Sequence, residues 1–276
     1  MGAETAEADI GEDMTDVKLY LGDCLEVMRG MADKSVDLTV TSPPYDNLRT
    51  YNGYKFDFEG IAKQLFRVTK DGGVLVWVVA DATINGSETG TSFKQALYFK
   101  KIGFNLHDTM IYQVPGTGAK GSNYCYWQSF EYMFVFSKGK PKNVYRIKDK
   151  PNKKAGTICT SNKQHRDGVK TRLHPKGGTI VADVGIRSNV WIIPSGNGHS
   201  EYTGHPAPFP ESLAKDHIIT WSIQGDTVFD CFMGSGTTGK MANLLGRNFI
   251  GIEIDPTYFA IAEKRIAEAQ MQPRLI

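Results

Sequence analysis

The chain has 276 residues, 41% of them hydrophobic and 22% charged, with a formal net charge of +2. That length suits one large α/β domain or two small ones, and the composition supports a sizeable core and excludes global disorder. No apolar run reaches the length of a membrane span, and the start lacks the basic-then-apolar layout of a signal peptide. Cys24, Cys125, Cys159 and Cys231 form no CxxC pair, so neither zinc nor a disulfide framework is expected and a reducing, cytoplasmic setting is the simplest reading.

The elements follow in chain order. Residues 1–16 carry Glu4, Glu7, Asp9, Glu12, Asp13 and Asp16 with no base, and read as a mobile acidic tail. Residues 17–21 read as a strand and 25–31 as a short helix. Residues 36–41 are a β-branched strand that runs into Ser42, Pro43, Pro44 and Tyr45. Helical spacing over 58–70 stops at Asp71-Gly72-Gly73. Residues 74–80 are a continuous apolar strand in which Trp77 reads as core. A helix over 93–101 and strands over 106–114 and 132–137 follow. This alternation argues for a parallel sheet covered by helices on both faces.

Residues 138–176 break the pattern, with thirteen Lys and Arg against Asp149 and Asp167. A basic, Gly/Asn/Thr-rich stretch with little periodicity reads as a phosphate-facing insertion, or more plainly as a solvated loop. The pattern resumes near 190–193, with a helix at 210–222. The last unit is the clearest: strand 227–232, a glycine turn, helix 237–245, strand 248–254 and helix 256–269. Asp255 is a good N-cap, and Pro256 suits the first helical position.

"DCFMGSGTTGK", residues 230–240, places Gly234, Gly236 and Gly239 in a GxGxxG pattern between a strand and a helix, with Glu253 at the end of the next strand. Such a unit reads as a nucleoside site, the carboxylate taking ribose hydroxyls. A dinucleotide reading fits the glycines. A phosphate-loop reading almost fits, but Met241 stands where the magnesium-binding Ser or Thr belongs. Asp230 ahead of the glycines would repel a pyrophosphate, and favours a cofactor that carries a cationic amino acid. His199 and His205 lie in a Gly/Pro/Ser loop without a third ligand of sensible spacing, so no metal is expected.

Taken together, "TSPPY" (41–45), "FEYMFVFSKGKP" (130–141), "GHPAPFP" (204–210), "DCFMGSGTT" (230–238) and "GIEIDPTYFAIAEKR" (251–265) resemble the β-class DNA amino-methyltransferases, which use S-adenosylmethionine. The catalytic motif comes first, the basic segment in the middle and the cofactor glycines last. The resemblance implies a seven-stranded Rossmann-like sheet in which the strands ending at Tyr45 and near Phe232 lie side by side. It implies a catalytic half over residues 17–137, a target-recognition insertion over 138–188 and a cofactor-binding half over 189–276. It further implies that Asp230, Phe232, Gly234, Ser235, Gly236, Thr237 and Thr238 wrap the methionine part of the cofactor. Glu253 would hold the ribose, Asp23 and Cys24 would lie near the adenine, and His205, Ala207 and Phe209 would line the methionine end. Relatives of this type often pair as homodimers.

The resemblance gives the two prolines a chemical reason. An exocyclic amino group is a poor nucleophile because its lone pair is delocalised into the ring. Two acceptors that bind its two hydrogens, Ser42 Oγ and the Pro43 carbonyl, favour a more tetrahedral nitrogen, while Pro44 stiffens the turn. Tyr45 would stack on a base flipped out of double-stranded DNA. Adenine and cytosine present the same amino-next-to-ring-nitrogen edge, so either fits. An RNA or protein-glutamine methyltransferase, or a silent DNA-binding relative, is the alternative. Ser42 and the long basic insertion weigh against the first, and intact Ser42, Tyr45, Asp230 and Glu253 against the second.

Overall fold

The structure is a computed structural model that describes residues 15–44, 56–116, 126–166, 168–194 and 210–275. Tyr45, His205, Ala207 and Phe209, with most of the acidic tail, lie outside them. The last two tail residues belong to the body. Asp16 N donates to Asn248 Oδ1 at 2.9 Å, and Phe249 N donates to the Asp16 carbonyl at 2.8 Å.

One mixed sheet forms the frame. Among the described residues its strands are β1 (Val17–Leu21), β2 (Val36–Thr41), β3 (Thr69–Val79), β4 (Asn105–Gln113), β5 (Phe130–Ser137), β6 (Val190–Ile192), β7 (Thr227–Asp230) and β8 (Asn248–Glu253). They lie in the order β1-β8-β7-β2-β3-β5-β4-β6. The sheet therefore has eight strands where seven were expected, the extra one being the short edge strand β6. It is parallel except at β5, which runs antiparallel to both β3 and β4. No helix lies in the described part of the β4–β5 connection, and an antiparallel return needs none.

Among the described residues six helices cover the sheet: α1 (Cys24–Gly30), α2 (Phe58–Val68), α3 (Thr91–Lys101), α4 (Glu211–Trp221), α5 (Thr237–Leu244) and α6 (Pro256–Gln270). The strand period of two divides β3 between two cores. Val74, Val76 and Val78 pack towards α4, α5 and α6, while Leu75, Trp77 and Val79 pack towards α1, α2 and α3. A strand buried on both faces reads as an unbroken apolar run, as β3 does. The 58–70 helix is shorter than its periodicity suggests. It ends at Val68, and Asp71-Gly72-Gly73 lies inside β3.

The neighbours β2 and β7 define the sheet's switch point. From β2 the chain moves outward one way through β3, and from β7 the other way through β8. The crevice of an open α/β sheet belongs at the carboxyl ends of such a pair.

The basic segment is an arm. Antiparallel ladders pair Lys148–Pro151 with Val184–Ile186, then Ile158–Cys159 with Thr179–Ile180, then Asn162–Gln164 with Lys170–Arg172. The chain thus runs out, turns near 165–169 and returns beside itself. Among the described residues no helix is long and apolar enough to cross a membrane.

The glycine turn shows how closely this frame is packed. A Cβ on Gly239 would come within 2.5 Å of both Ile266 Cδ1 and Phe249 Cε1. Alanine in a helix interior gains about 1 kcal/mol over glycine. Overpacking against a buried ring costs roughly 1–3 kcal/mol and wins here. Gly239→Ala is expected to destabilise the protein by about 1 kcal/mol or more in urea unfolding, and a stability gain would show that α5 and α6 can move apart freely.

Candidate active site

The carboxyl ends of β1, β2, β7 and β8 surround a crevice of about 630 Å³, part of it open to solvent. Its walls come from Gly22, Cys24, Ser42, Pro44, Cys231, Phe232, Gly234, Ile252, Glu253, Ile254 and Tyr258. Six of the residues expected from sequence meet here: Cys24, Ser42, Pro44, Phe232, Gly234 and Glu253. Gly22, Cys231, Ile252, Ile254 and Tyr258 went unread, although their positions just beyond strand ends or in the first turn of α6 could have suggested them.

Ser42 and Pro44 leave β2 one step after its ladder ends, since Thr41 opposite Trp77 is the last β2–β3 pair. Pro43, between them, is buried. The proline pair suits this place, because proline cannot donate to a ladder and pre-sets an extended turn.

Asp230 and Thr41 tie the two central strands together at this point. Thr41 Oγ1 donates to Asp230 Oδ1 at 2.6 Å, and the same oxygen accepts Phe232 N at 3.1 Å. Asp230 is 5% exposed and stands behind the crevice wall. Burial pushes its pKa up from 3.8 to about 6, opposed by hydrogen bonds from Thr41, Thr238 and Phe232 N and reinforced by the nearby Glu253 charge.

Glu253 organises the glycine turn from the neighbouring strand. Its Oε2 accepts Gly234 N at 2.7 Å, while Oε1 accepts Ile254 N at 3.0 Å and Asp255 N at 2.9 Å. Burial raises its pKa, and these three backbone donors pull it back. A carboxylate has about four acceptor positions, so one remains for a donor in the crevice.

The other side chains of the glycine turn point elsewhere. Gly236 has φ +81°, and a Cβ there would meet Ala262 Cα at 2.9 Å, so α6 packs directly on the turn. Arg265, which the sequence reading missed, is buried beneath it. Its Nη1 donates to the Ser235 carbonyl at 2.6 Å and reaches the Ser235 and Thr237 hydroxyls at 3.3 Å. Its Nη2 donates to Glu211 Oε1 at 3.0 Å, which Lys240 also reaches at 2.9 Å. Thr238 Oγ1 lies 3.4 Å from the Val40 carbonyl. Thus Ser235, Gly236, Thr237 and Thr238 hold the turn in shape but do not line the crevice. Asp23 likewise caps α1, accepting Leu25 N at 2.8 Å and Glu26 N at 3.0 Å.

The crevice has an aromatic floor. Phe232 lies 5.8 Å from Phe56 and 6.2 Å from Trp77, ring centre to ring centre. Trp77 is fully buried, as its sequence context suggested, and its Nε1 donates to Gln95 at 2.8 Å. Tyr126 and Trp127 are exposed. Among the described residues no group of three His, Cys, Asp or Glu could hold a metal ion.

A glycine-turned nucleoside crevice beside a Ser-Pro-Pro turn, on a Rossmann-like sheet, defines an amino-group methyltransferase. Residues 36–264 match the family model of the N6/N4 methylases, described as DNA methylase, and the chain belongs to this family. Members of the family depend on S-adenosylmethionine. The chain is 53% identical over 244 residues to the orphan methyltransferase M.BamHII of Bacillus amyloliquefaciens, covering 86% of this chain and 90% of that one. It is 30% identical to the type II methyltransferase M.ScaI of Streptomyces caespitosus, over 93% and 83% of the two chains. Among solved structures, a DNA modification methylase of Thermus thermophilus superposes with a TM-score of 0.60 at 26% identity, covering 92% and 96%. The PvuII cytosine-N4-specific DNA methyltransferase shares the fold, with a TM-score of 0.66 at 20% identity over 93% and 92%.

The buried carboxyl gives a pH signature. The folded-state pKa of Asp230 lies above its unfolded value, so the native protein holds this proton more tightly. Its contribution to stability is therefore fullest below about pH 4 and is lost as pH rises through about 6. Asp230→Asn, which cannot ionise, is expected to gain on wild type by about 1–3 kcal/mol between pH 4 and 7. Urea unfolding of both proteins across that range checks this, and a constant difference would show that Asp230 stays ionised throughout.

Proposed function

We propose that this protein methylates the exocyclic amino group of a flipped-out adenine (N6) or cytosine (N4) in double-stranded DNA. The observation that carries the reading is the adjacency of β2 and β7, which sets Ser42 and Glu253 on the walls of one crevice. Double-stranded DNA is the assigned partner, with residues 138–188 as the target-recognition part between a catalytic half (17–137) and a cofactor half (189–276).

The crevice fits S-adenosylmethionine. Its open acceptor position on Glu253 suits a ribose hydroxyl, Ile252 and Ile254 offer apolar walls to an adenine ring, and the carboxyl of Asp230 favours a cationic end near Phe232 and Gly234. The Thermus thermophilus relative has been solved in complex with S-adenosyl-L-methionine. When bound, the cofactor supplies a methyl group on a sulfonium, a strong electrophile that needs no metal.

This chain's own residues prepare the nucleophile. Ser42 Oγ and the Pro43 carbonyl accept the two amino hydrogens and draw the nitrogen lone pair out of the ring. Fixed acceptors of this kind act through positioning and pre-set dipoles. No strong base is needed, because a methylated ammonium is acidic and gives its proton to water. Tyr45, outside the described residues, is assigned as the stacking platform. Such a ring returns about 1–3 kcal/mol, which offsets much of the few kcal/mol that unstacking costs. Carbon methylation of cytosine is not assigned, since it calls for a cysteine nucleophile after a proline and no cysteine here follows one.

Two variants separate chemistry from binding. Ser42→Ala is expected to lower methyl transfer by on the order of a hundredfold while leaving S-adenosylmethionine affinity within about threefold. Glu253→Ala is expected to weaken cofactor binding by roughly 1.5–3 kcal/mol, the scale of a charge-assisted hydrogen bond. Nucleoside mass spectrometry of DNA treated with the wild-type enzyme should show N6-methyladenine or N4-methylcytosine. A 5-methylcytosine peak with neither of these would refute the Ser42 mechanism.

A further inference from the structure

The arm of residues 148–186 is a ribbon of two strands whose edges, among the described residues, pair only with each other. Its side chains are mostly exposed, including Lys148, Lys150, Lys153, Lys154 and Lys170. A two-stranded ribbon has no layer behind it and is marginal alone. Its direction must then be fixed where it leaves the body, and that place is built with care around Arg187.

The Arg187 backbone N donates to the Ile147 carbonyl at 2.9 Å, closing the base of the ribbon. Beside it, Tyr145 N donates to the Thr220 carbonyl of α4 at 2.8 Å. The Arg187 side chain then joins ribbon to body. Nε donates to Asp149 Oδ2 at 2.9 Å, and Nη2 donates to the same oxygen. Nη1 turns the other way and donates to Asp216 Oδ2, on α4, at 2.5 Å. The guanidinium sits over the Trp191 ring, 5.1 Å from its centre. Trp191 is 5% exposed and stacks on His217 at 4.6 Å.

His217 carries the stack into the core. It accepts Trp221 Nε1 at Nδ1 (3.2 Å), and its Nε2 lies 3.3 Å from Met133 Sδ in β5. Burial lowers its pKa to about 3, so no charge arises under the clamp in the physiological range. A continuous line of contacts therefore runs from the arm through Arg187, Trp191 and His217 to the sheet. Among the described residues, Lys142–Asp226 is the other ion pair near this root, and its atoms are 3.9 Å apart.

We propose that Arg187 is a positioning residue for target recognition: by bridging Asp149 of the arm and Asp216 of α4 over Trp191, it sets the angle at which the arm meets DNA. This rests on the reading of the arm as the DNA-recognising part. An arginine is needed because its planar fork can hold two carboxylates in fixed directions, which a single ammonium cannot. The guanidinium is already spent on the two carboxylates and the ring, so its work is on the arm and not on a phosphate.

Charge makes the test decisive. Asp216→Asn removes a negative charge from the root of a basic arm. If electrostatics alone mattered, DNA binding would tighten. If the clamp matters, the arm loses its angle. We expect Asp216→Asn and Arg187→Lys each to raise KM for DNA about tenfold and to narrow the preference for the enzyme's own site over single-base variants by a similar factor. At saturating DNA, kcat and cofactor affinity should stay within about twofold. Tighter or unchanged DNA binding by Asp216→Asn, with site preference intact, overturns the proposal. Limited trypsin digestion of the cofactor-bound protein gives a readout that needs no DNA. Faster cutting at the arm lysines in both variants supports the clamp, and unchanged cutting overturns it. If wild-type protein methylates no DNA, the functional reading has failed, and the digestion still decides whether Arg187 fixes the arm.

Discussion

The hydrogen bond from Thr41 to Asp230 joins two strands that are far apart in sequence and side by side in space. Thr41 is the last residue before the Ser-Pro-Pro turn, and Asp230 the last of β7 before the glycine turn. The two reactants of a methyl transfer would arrive on these two turns. Whatever holds the strand ends in register therefore holds the reaction distance. The bond is 2.6 Å long, buried, and shared with the backbone N–H of Phe232. A buried carboxyl is costly unless it is hydrogen-bonded. Here its bonds go to the groups whose separation matters, so the cost is tied to placement.

Around this tie the fold removes slack. Glu253 takes three backbone N–H groups of the glycine turn and its own following loop. Arg265 takes the turn's carbonyl and hydroxyls from beneath. Gly236 and Gly239 leave no space for a methyl group between the turn, α6 and β8. The turn is thus held from three sides, and its remaining side faces the crevice. Several residues that resemble ligand contacts in the sequence serve this holding role.

Much of this was legible in the sequence, for reasons that can be named. Buried strands and helices announce themselves by periodicity, as in β3 and α6. Ser42 and Glu253 stand just beyond strand ends, where open α/β sheets bind ligands. Other features leave no such trace. The arm pairs its strands with both faces in solvent, so no alternation of apolar and polar residues marks it, and it read as an irregular basic stretch. Asp71-Gly72-Gly73 looked like a helix stop, yet the chain enters β3 directly and the glycines sit in the strand. Arg265 was hidden because a basic residue late in an amphipathic helix reads as solvated, and only the packing of α6 on the glycine turn buries it. Tyr258 is one turn into the same helix, and only the placement of that helix brings it to the crevice.

The arm leaves the body and returns to it at one place, since Lys148 and Ile186 are ladder partners. Everything beyond that pair is a closed excursion. Lengthening such an excursion adds little closure entropy, about 0.6 kcal/mol for each doubling of its length. Residues inside it can change without a compensating change in either core. Descendants of this fold could therefore diversify the arm at a pace the crevice cannot match, and an experimenter could exchange arms between relatives by cutting at this single pair and keeping Arg187 with the host.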